Sequence, residues 1–497
     1  MKSPRLMIAA VKSGSGKTTI TCAFLKQLAD RGKNPVSFKC GPDYIDPMFH
    51  EQVLGIPSKN LDTFFCGASQ IRALYGMEQQ GHDIAVLEGV MGLYDGLGGI
   101  KEEGSSYHLA ETLKAPIILV VDAHGMGKSV IPLISGFLQY DKQKLIKGVI
   151  LNRTGKMFFE TIAPLIEKEL GIKALGFLPK EKELALASRH LGLVLPEEVQ
   201  ELNLQIEKAG QLLEQCVDIN KMIEIAEQAE ELERKEETEE SGRKEKAKEP
   251  VDAGKRIGNA GLVLSDDVFW KEAAYGKRED LPTEKVRIAV AEDEAFCFYY
   301  RDNLNMLAYY GAELVPFSPL HDAKLPEDIS GLLLGGGYPE LYAEELSKND
   351  SMKKSIKEVF LKKMPVLAEC GGFMYLHESL VDKEGKSFPM VGVLPAKCEY
   401  MGRLVRFGYV EVAGKKENTC LLTKEEKIKA HEFHYFDSTD NGADCIAVKP
   451  VTGRSWECIH AADNCFLGFP HLYYPSNPKF VKRFLKAARE YRISIAK

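Results

Sequence analysis

Short apolar runs alternate with amphipathic segments through the first half of the chain. The runs cover residues 6–11, 36–39, 84–87, 117–121, 149–151 and 175–178, and most end in a polar or glycine-rich cluster. Such alternation is typical of a parallel β-sheet covered by helices, with a ligand site at the carboxyl ends of the strands. The pattern therefore predicts a doubly wound α/β domain, to which we assign residues 1–229.

The pattern changes twice farther along the chain. Apolar residues recur at helical spacing over 197–229, and residues 230–249 are then rich in Glu, Lys and Arg. For this charged stretch we favour a solvated helix extension or a disordered linker over a binding tail. Strand–helix alternation restarts with apolar runs at 286–291, 314–317, 332–334 and 366–368. We therefore predict a second α/β domain over 285–497, joined to the first by a charged linker and connector over 230–284.

The first apolar run breaks into a glycine-bearing turn, V-K-S-G-S-G-K-T-T, over residues 11–19. Backbone N–H groups in such a turn face anionic oxygens, and the following helix N-terminus reinforces them. Val11 stands where the first Gly of the general phosphate loop is expected, so the match is to the variant K-x-G-x-G-K-T. The turn predicts a nucleotide phosphate site built from Lys12, Gly14, Gly16, Lys17, Thr18 and Thr19.

A second chemical motif lies in the C-terminal half. The run P-V-L-A-E-C-G-G-F over 365–373 stops at Cys370 and two glycines, as a nucleophile elbow does. We expect the following helix N-terminus to favour the Cys370 thiolate. The turn G-G-G-Y-P-E over 335–340 offers the N–H groups of Gly336 and Gly337 for an oxyanion hole. His431, His434 and His471 are the candidate bases.

These residues carry a family resemblance. A-E-C-G-G around Cys370 and G-G-G-Y-P-E resemble a class I glutamine amidotransferase domain, which implies a thioester-forming Cys that releases ammonia. Further motifs are G-P-D-Y-I-D-P (41–47), E-G-V-M-G-L-Y-D-G (88–96), R-H-L-G-L-V (189–194), A-E-D-E-A-F-C-F-Y-Y (291–300) and H-E-F-H-Y (431–435). Together they resemble the cobyrinic acid a,c-diamide synthase family along nearly the whole chain.

The resemblance implies two doubly wound α/β domains. The first is a P-loop NTPase-like, dethiobiotin-synthetase-like domain, and the second is a flavodoxin-like glutamine amidotransferase domain. The usual catalytic His is followed two residues later by Glu, whereas Tyr473 stands at that position after His471. The synthase subgroup also lacks that Glu. We therefore prefer His471 as the base, and interpret His431 and His434 as glutamine-site or interface residues.

The implied reaction is ATP- and glutamine-dependent amidation of the a and c acetate carboxylates of cobyrinic acid through acyl phosphates, in cobalamin biosynthesis. Mg²⁺ is the implied metal, held by Thr18, Asp43 and Glu88. Tyr44, Asp46 and Asp95 are candidates for binding the macrocycle, although a cap or turn role is the alternative for each acidic residue. Asn152 matches the adenine-recognition position of the related fold. Asp122 is interpreted as a helix cap.

Two alternatives stay open. The substrate is a cobyrinic acid-type macrocycle, or a related tetrapyrrole such as hydrogenobyrinic acid or a nickel-sirohydrochlorin. A rival from another class is a ParA/MinD-like ATPase, because Lys12 stands at the signature-lysine position of that group. The fused Cys370 domain argues against this rival, since a positioning ATPase has no use for ammonia.

Composition narrows the class of protein further. At 497 residues the chain predicts two to four domains, and its net charge of -7 does not indicate nucleic-acid binding. Its 11 cysteines lack a C-x-x-C pair, which favours reduced thiols in a cytoplasm over a disulfide scaffold or zinc site. No apolar stretch reaches transmembrane length, so no membrane partner is expected. The sequence leaves a homodimer open.

Overall fold

A computed structural model describes residues 3–180, 196–232, 268–278, 285–415 and 421–495. The predicted charged stretch from 233 onward and the motif at 189–194 lie outside the described residues. The amidotransferase motifs and the phosphate turn all lie within them.

The N-terminal domain is built on one parallel sheet. Its elements are β1 Arg5–Ala10, α1 Lys17–Asp30, β2 Pro35–Cys40, α2 Ile45–Gln52, β3 Ser58–Leu61, α3 Ala68–Gln79, β4 Ile84–Glu88, α4 Ser106–Thr112, β5 Ile117–Asp122, α5 Val130–Tyr140, β6 Ile146–Asn152, α6 Lys156–Leu170 and β7 Lys173–Leu178. The strand order is β3-β2-β4-β1-β5-β6-β7, and every neighbouring pair is parallel. The predicted doubly wound class is confirmed.

The order of the strands places the first site. β1 and β4 are neighbours at the centre of the sheet. The chain passes from β1 to β2 on one side of this pair and from β4 to β5 on the other side. Ligands of open α/β sheets bind at such a switch point, outside the carboxyl ends of the strands. The phosphate turn follows β1 and Glu88 ends β4, so both lie at this crevice.

The edge strand β3 was not predicted, because its sequence S-K-N-L has a single apolar residue. All four of its residues are nevertheless buried. Their polar groups have partners elsewhere in the fold: the Asn60 amide donates to Gly41 O at 2.8 Å, and Lys59 Nζ donates to Asp302 Oδ1 at 3.0 Å. A buried polar strand of this kind is recognised only when its partners are known.

The predicted helical segment forms two helices, α7 Pro196–Cys216 and α8 Ile219–Glu227. They are separate because Asp218 caps α8, accepting from Lys221 N at 2.9 Å. The predicted connector also contains α9 Val268–Tyr275, which packs against α3 with Trp270 over Gly76. Gln70 of α3 donates to Ala274 O and to Pro475 O, so α9 lies where the two domains meet.

The C-terminal domain begins with a second α/β arrangement and then adds many strands. Its elements are β8 Val286–Ala291, α10 Arg301–Tyr309, β9 Ala312–Phe317, β10 Gly331–Leu334, α11 Ala343–Lys348, α12 Asp350–Leu361, β11 Val366–Glu369, α13 Gly371–Tyr375, β12 His377–Val381, β13 Ser387–Pro389, β14 Leu394–Tyr400, β15 Arg406–Gly414, β16 Lys427–His434, β17 Phe436–Ser438, β18 Cys445–Val448, β19 Ser455–Cys458, β20 His460–Ala462, β21 Cys465–Gly468, β22 His471–Leu472 and α14 Pro478–Ile495.

The main sheet of this domain has the order β20-β21-β11-β10-β8-β9, with only β20 antiparallel to its neighbour among the described strands. If its five parallel strands are numbered in chain order, they lie in the order 2-1-3-4-5 from β9 to β21. That is the flavodoxin-like order, as predicted. Cys370 follows β11, beside the switch point between β8 and β10.

Two further sheets, which the sequence analysis did not predict, lie between α13 and the end of β22. Their orders are β13-β12-β14-β17 and β19-β18-β15-β16-β22. Burial alternates along β15 and β16, because one face of each antiparallel strand is exposed. A search for continuous apolar runs misses such strands. The second of these sheets carries all three candidate histidines, His431 and His434 on β16 and His471 on β22.

The two domains are joined by buried polar and apolar contacts. Lys59 and Asp62 of the first domain bond to Asp302 and Tyr409 of the second, at 3.0 Å and 2.6 Å. A single apolar cluster runs through both domains. The two switch points therefore belong to one packed body. Within the described ranges, no helix is both long and apolar enough to cross a membrane.

Candidate active sites

The phosphate turn is held by a neighbouring strand. Gly16 has a φ of 93°, and a Cβ at that position would lie 2.2 Å from Asn152 Nδ2. The Asn152 amide donates to Ser15 O at 2.8 Å. Only glycine fits at position 16, because both the backbone angle and the close amide exclude a side chain. Asn152 thus supports the turn, and its part in adenine recognition stays a prediction.

A buried cluster of charge lies beside the turn. Glu88 is fully buried, and its Oε1 accepts from Thr18 Oγ1 at 2.6 Å and from Lys39 Nζ at 2.9 Å. Lys39 also donates to Asp46. Burial is the main cause that raises the pKa of Glu88 to about 7, and the negative charge of Asp46 is the second. The pKa of Lys39 is raised, because the carboxylates of Asp46 and Glu88 outweigh the effect of burial.

Two members of this cluster, Lys39 and His50, were not predicted from the sequence. Lys39 was included in an apolar run, although a Lys at the end of a buried strand was a usable signal. His50 Nε2 lies 3.5 Å from Glu88 Oε2, and neither atom has a hydrogen-bond partner in the part of the chain that the structure describes. Burial lowers the pKa of His50 to about 4, so its ring is neutral at pH 7.

The donor set fits a magnesium ion accompanied by phosphates. Thr18 and Glu88 present a hydroxyl and a carboxylate with one unused oxygen, Glu88 Oε2. Among the described residues no cluster of three or more His, Cys, Asp or Glu could hold a metal by itself. Mg²⁺ ordinarily takes one or two carboxylates and completes its shell with water and substrate phosphates, so two protein ligands suffice.

Lys17 lies at the N-terminus of α1, in reach of this cluster. Its Nζ donates to Met91 O at 2.5 Å. Burial and the positive charge of Lys39 lower the pKa of Lys17 to about 8. Lys39 is paired with Asp46 and Glu88, so Lys17 at the N-terminus of α1 is the lysine available for a polyphosphate.

The other predicted residues of the first site each have a partner within the protein. Asp43 Oδ1 accepts from Ile45 N at 2.8 Å, and Asp95 Oδ2 accepts from Gly92 N at 2.9 Å. Asp46 pairs with Lys39. The prediction that Asp122 caps the next helix is wrong, because α5 begins at Val130 with Ser129 as its N-cap. Asp122 Oδ1 instead accepts from His124 N at 3.2 Å in the turn after β5, and its Oδ2 accepts from Arg153 Nη1 at 3.1 Å.

Tyr44 lies between the domains. Its ring stacks on Phe298 with centroids 5.1 Å apart, and its centroid is 4.4 Å from that of Tyr300. The His471 ring is 5.3 Å away, centroid to centroid. The loop that follows β2 in the first domain thus contacts the predicted base of the second.

Cys370 has the backbone of a nucleophile elbow. Its φ is 46° and its ψ is -103°, between the end of β11 and the start of α13. Such a strained turn points the side chain away from the sheet. Cys370 N donates to Gly468 O at 2.9 Å, and Gly372 N donates to Gly335 O at 2.8 Å. The elbow is therefore bonded to the turn that was predicted to form the oxyanion hole.

The predicted oxyanion turn lies between the elbow and His471. A Cβ on Gly371 would be 3.1 Å from Gly337 N. A Cβ on Gly336 would be 2.4 Å from His471 Cε1. The structure thus brings Cys370, Gly336, Gly337 and His471 into one site.

The sequence predicted that Cys370 would be a thiolate, but the structure favours the neutral thiol. Burial raises the pKa of Cys370, and the nearby Glu340 adds to the effect. Burial lowers the pKa of His471 to about 3. α13 has only five residues, and its N-terminus does not offset this desolvation. Thiol and imidazole are both neutral at rest, an arrangement that calls for proton transfer during attack.

His431 and His434 occupy the surroundings of the site. His431 is the cross-strand partner of His471 between β16 and β22. The His434 ring stacks on Phe469 with centroids 4.0 Å apart, and its Nδ1 donates to Phe436 O at 2.6 Å. His434 lines a shallow depression together with Arg406 and Glu432. The glutamine-site or interface roles of His431 and His434 stay predictions.

Gly336→Ala is expected to lower glutamine hydrolysis by about 10²-fold, because the added methyl group would displace the His471 ring. Steady-state ammonia release from glutamine measures the effect. Gly136→Ala is the matched control, since Gly136 in α5 faces open space. Normal hydrolysis by Gly336→Ala would mean that His471 does not act from this position.

Comparisons with known proteins agree with this pair of sites. Residues 6–194 match a model described as the CobQ/CobB/MinD/ParA nucleotide binding domain, and residues 287–471 match the CobB/CobQ-like glutamine amidotransferase domain. Fold and site thus define an amide-forming, glutamine-dependent ligase with a fused nucleotide-binding domain.

Relatives narrow the class to a family. The chain is 39% identical to a cobyrinate a,c-diamide synthase of Caldanaerobacter subterraneus over 96% of this chain and 97% of that protein. It is 36% identical to the proteins of that name from Listeria innocua and from Picrophilus torridus, over 98% of this chain and 99% of each. The chain belongs to the cobyrinate a,c-diamide synthase family.

Proposed function

We propose that this protein amidates the a and c acetate carboxylates of cobyrinic acid, using ATP and glutamine, in cobalamin biosynthesis. Residues 1–229 form the synthetase domain in this proposal, 230–284 the connector and 285–497 the amidotransferase domain. The observation that carries it is the contact between the two sites. Tyr44 lies between Lys39 at the end of β2 and Asp46 at the start of α2, and its ring lies against the ring of His471.

The second site supplies the nitrogen. Cys370 Sγ attacks the side-chain amide carbon of glutamine while His471 takes the thiol proton. The N–H groups of Gly336 and Gly337 hold the oxyanion, and His471 returns the proton to the departing ammonia. Water then hydrolyses the glutamyl thioester, which releases glutamate and restores the thiol. His434 belongs to the surrounding glutamine pocket.

The first site activates the carboxylate. An acetate oxygen of the macrocycle attacks the γ-phosphorus of ATP, ADP leaves, and an acyl phosphate forms. Ammonia then displaces phosphate to give the amide. Lys17 and the turn from Lys12 to Thr19 hold the phosphates, and Asn152, which bonds to this turn, also contacts the adenine in this proposal. Thr18, Asp43 and Glu88 would hold Mg²⁺, which would neutralise phosphate charge.

The macrocycle is expected at the rim formed by the loops after β2 and β4. Tyr44 and Asp95 lie on these loops, and Asp46 lies in the first turn of α2, which follows the loop after β2. Asp46 contributes through Lys39, since the two are ion-paired. This placement sets the acetate carboxylates beside the phosphate turn and leaves a short path from His471.

Mass spectrometry of macrocycles incubated with protein, ATP and glutamine tests the function. Each amidation exchanges a hydroxyl for an amino group, and two exchanges on cobyrinic acid are expected. Hydrogenobyrinic acid and nickel-sirohydrochlorin are tested in parallel. If either is amidated in preference to cobyrinic acid, it is the substrate and the proposed assignment is wrong. ATP hydrolysis without amidation of any of the three would favour a ParA/MinD-like ATPase instead.

His471→Ala should lower glutamine hydrolysis by about 10²–10⁴-fold, the usual contribution of a positioned general base. His431→Ala and His434→Ala serve as comparison variants, and each should lose far less. Hydrolysis is measured at saturating glutamine so that weaker binding does not enter. A larger loss in His434→Ala than in His471→Ala would move the base to the pocket residue.

A further inference from the structure

His471 has no carboxylate to orient its ring. Its Nδ1 is buried and has no hydrogen-bond partner within the described parts of the chain. Two residues farther on, where amidotransferases of this class carry Glu, stands Tyr473. Because no hydrogen bond from the described residues to Nδ1 orients the imidazole of His471, its position must be fixed by contacts of the neighbouring residues.

The chain on the C-terminal side of His471 is held at consecutive residues. Leu472 N donates to Glu369 Oε2 at 3.2 Å, and Leu472 O accepts from Asn303 Nδ2 at 2.7 Å. Tyr474 N donates to Asn303 Oδ1 at 2.8 Å, and its hydroxyl donates to Glu369 Oε1 at 2.9 Å. Glu369 directly precedes Cys370, so the same carboxylate connects the nucleophile strand to the segment that carries the base.

Tyr473, between these two residues, reaches a different partner. Its hydroxyl donates to Asp302 Oδ2 at 3.0 Å. The other oxygen, Asp302 Oδ1, accepts from Lys59 Nζ and from Tyr275 OH, both at 3.0 Å. All four side chains are buried. In low dielectric such a satisfied network is rigid, and it holds Tyr473 in one orientation.

Two members of this arrangement come from the synthetase domain. Lys59 lies on β3 of that domain. Phe65 follows the same strand, and its ring stacks on Tyr473 with centroids 4.7 Å apart and planes 6° from parallel. The position of the segment 471–474 therefore depends on residues of both domains.

We infer that Tyr473 and Asp302 are positioning residues for His471, and that Lys59 and Phe65 of the synthetase domain complete this positioning. The inference rests on the proposed role of His471 as the base. Its consequence is that glutamine is hydrolysed efficiently only when the synthetase domain is docked. Ammonia is then formed only where the activated carboxylate can receive it.

Tyr473→Phe tests the inference, because it removes one hydroxyl and leaves the ring stacked on Phe65. We expect kcat for glutamine hydrolysis to fall about 10-fold, as a small misplacement of a catalytic group does. KM for glutamine and ammonium-dependent amidation should not change. Alkylation of Cys370 by iodoacetamide should slow, since it reports proton transfer from the thiol to His471.

Tyr107→Phe is the matched control. Tyr107 is buried in α4 of the first domain, and its hydroxyl donates to Asp141 Oδ1 at 2.9 Å, a bond that involves no residue of the glutamine-hydrolysis site. It should lower thermal stability about as much as Tyr473→Phe does and leave kcat and Cys370 alkylation unchanged. Phe65→Leu supplies a second test from the synthetase side, and should lower kcat in the same direction.

Three results would overturn the inference. One is an unchanged kcat in Tyr473→Phe. A second is an equal loss in Tyr107→Phe. A third is a parallel loss of ammonium-dependent amidation, which would indicate general damage. His471→Ala is measured beside them: normal hydrolysis there would reject the base assignment itself, whereas loss there with normal Tyr473→Phe would reject only the positioning role.

Discussion

Cys370→Ala is expected to abolish amidation from glutamine while leaving amidation from added ammonium intact. Cys370 lies at the strained elbow after β11, bonded to the glycine turn at 335–337 and close to His471. Without the thiol no glutamyl thioester forms and no ammonia is released. Carboxylate activation takes place at the phosphate turn of the other domain, so external ammonium bypasses the loss. Amide formation with each nitrogen source, followed by mass spectrometry, measures the effect.

Cys465→Ala is the matched control for this variant. Cys465 is a buried thiol of the neighbouring strand β21, with 6% exposure against 7% for Cys370. Removing it creates a similar small cavity without touching the elbow. Both nitrogen sources should still support amidation in the control. If Cys370→Ala folds and yet loses ammonium-dependent amidation as well, the assignment of ammonia release and carboxylate activation to separate domains is wrong.

Lys17→Ala and Glu88→Gln are expected to block amidation with either nitrogen source, each by at least about 10²-fold. Lys17 supplies positive charge at the phosphate turn, and Glu88 joins Thr18 to Lys39 at the switch point between β1 and β4. Phosphoryl transfer precedes nitrogen attack, so ammonium does not rescue these variants. Amidation from ammonium and ATP turnover are the two measurements.

Lys26→Ala controls for the loss of a lysine from α1. Lys26 is partly exposed and pairs with Asp30 one turn later, so its removal should change stability only slightly. Full ammonium-dependent activity in Lys17→Ala would show that the turn does not hold the reacting phosphates. Glutamine hydrolysis in Lys17→Ala is informative too. A reduced rate would indicate that the first site acts on His471 through the loop of Tyr44.

The sequence predicted the chemistry of each site because each motif is local. The phosphate turn and the elbow at Cys370 combine a buried strand, a glycine turn and a helix start within about a dozen residues, and such signals need no distant partner. Most strands of both main sheets were predictable for the same reason, since they are buried on both faces and form continuous apolar runs. The polar strand β3 and the short strand β21 were missed. The antiparallel sheets around β15 and β16 were missed because only one face of each strand is buried.

Local sequence patterns were enough to predict the fold class, the two kinds of chemistry and four of the residues proposed for them, Lys17, Thr18, Glu88 and Cys370. The contacts that support these residues form only in the folded chain. Lys39 and His50 join Glu88 only because β2, α2 and β4 meet, and Tyr473 reaches Asp302 and Lys59 only because two domains pack together. The physical reason is that a buried polar group is stable only with a partner, and these partners lie far apart in the chain. The spacing of residues along one strand or helix does not indicate which distant group will bond to a buried polar side chain.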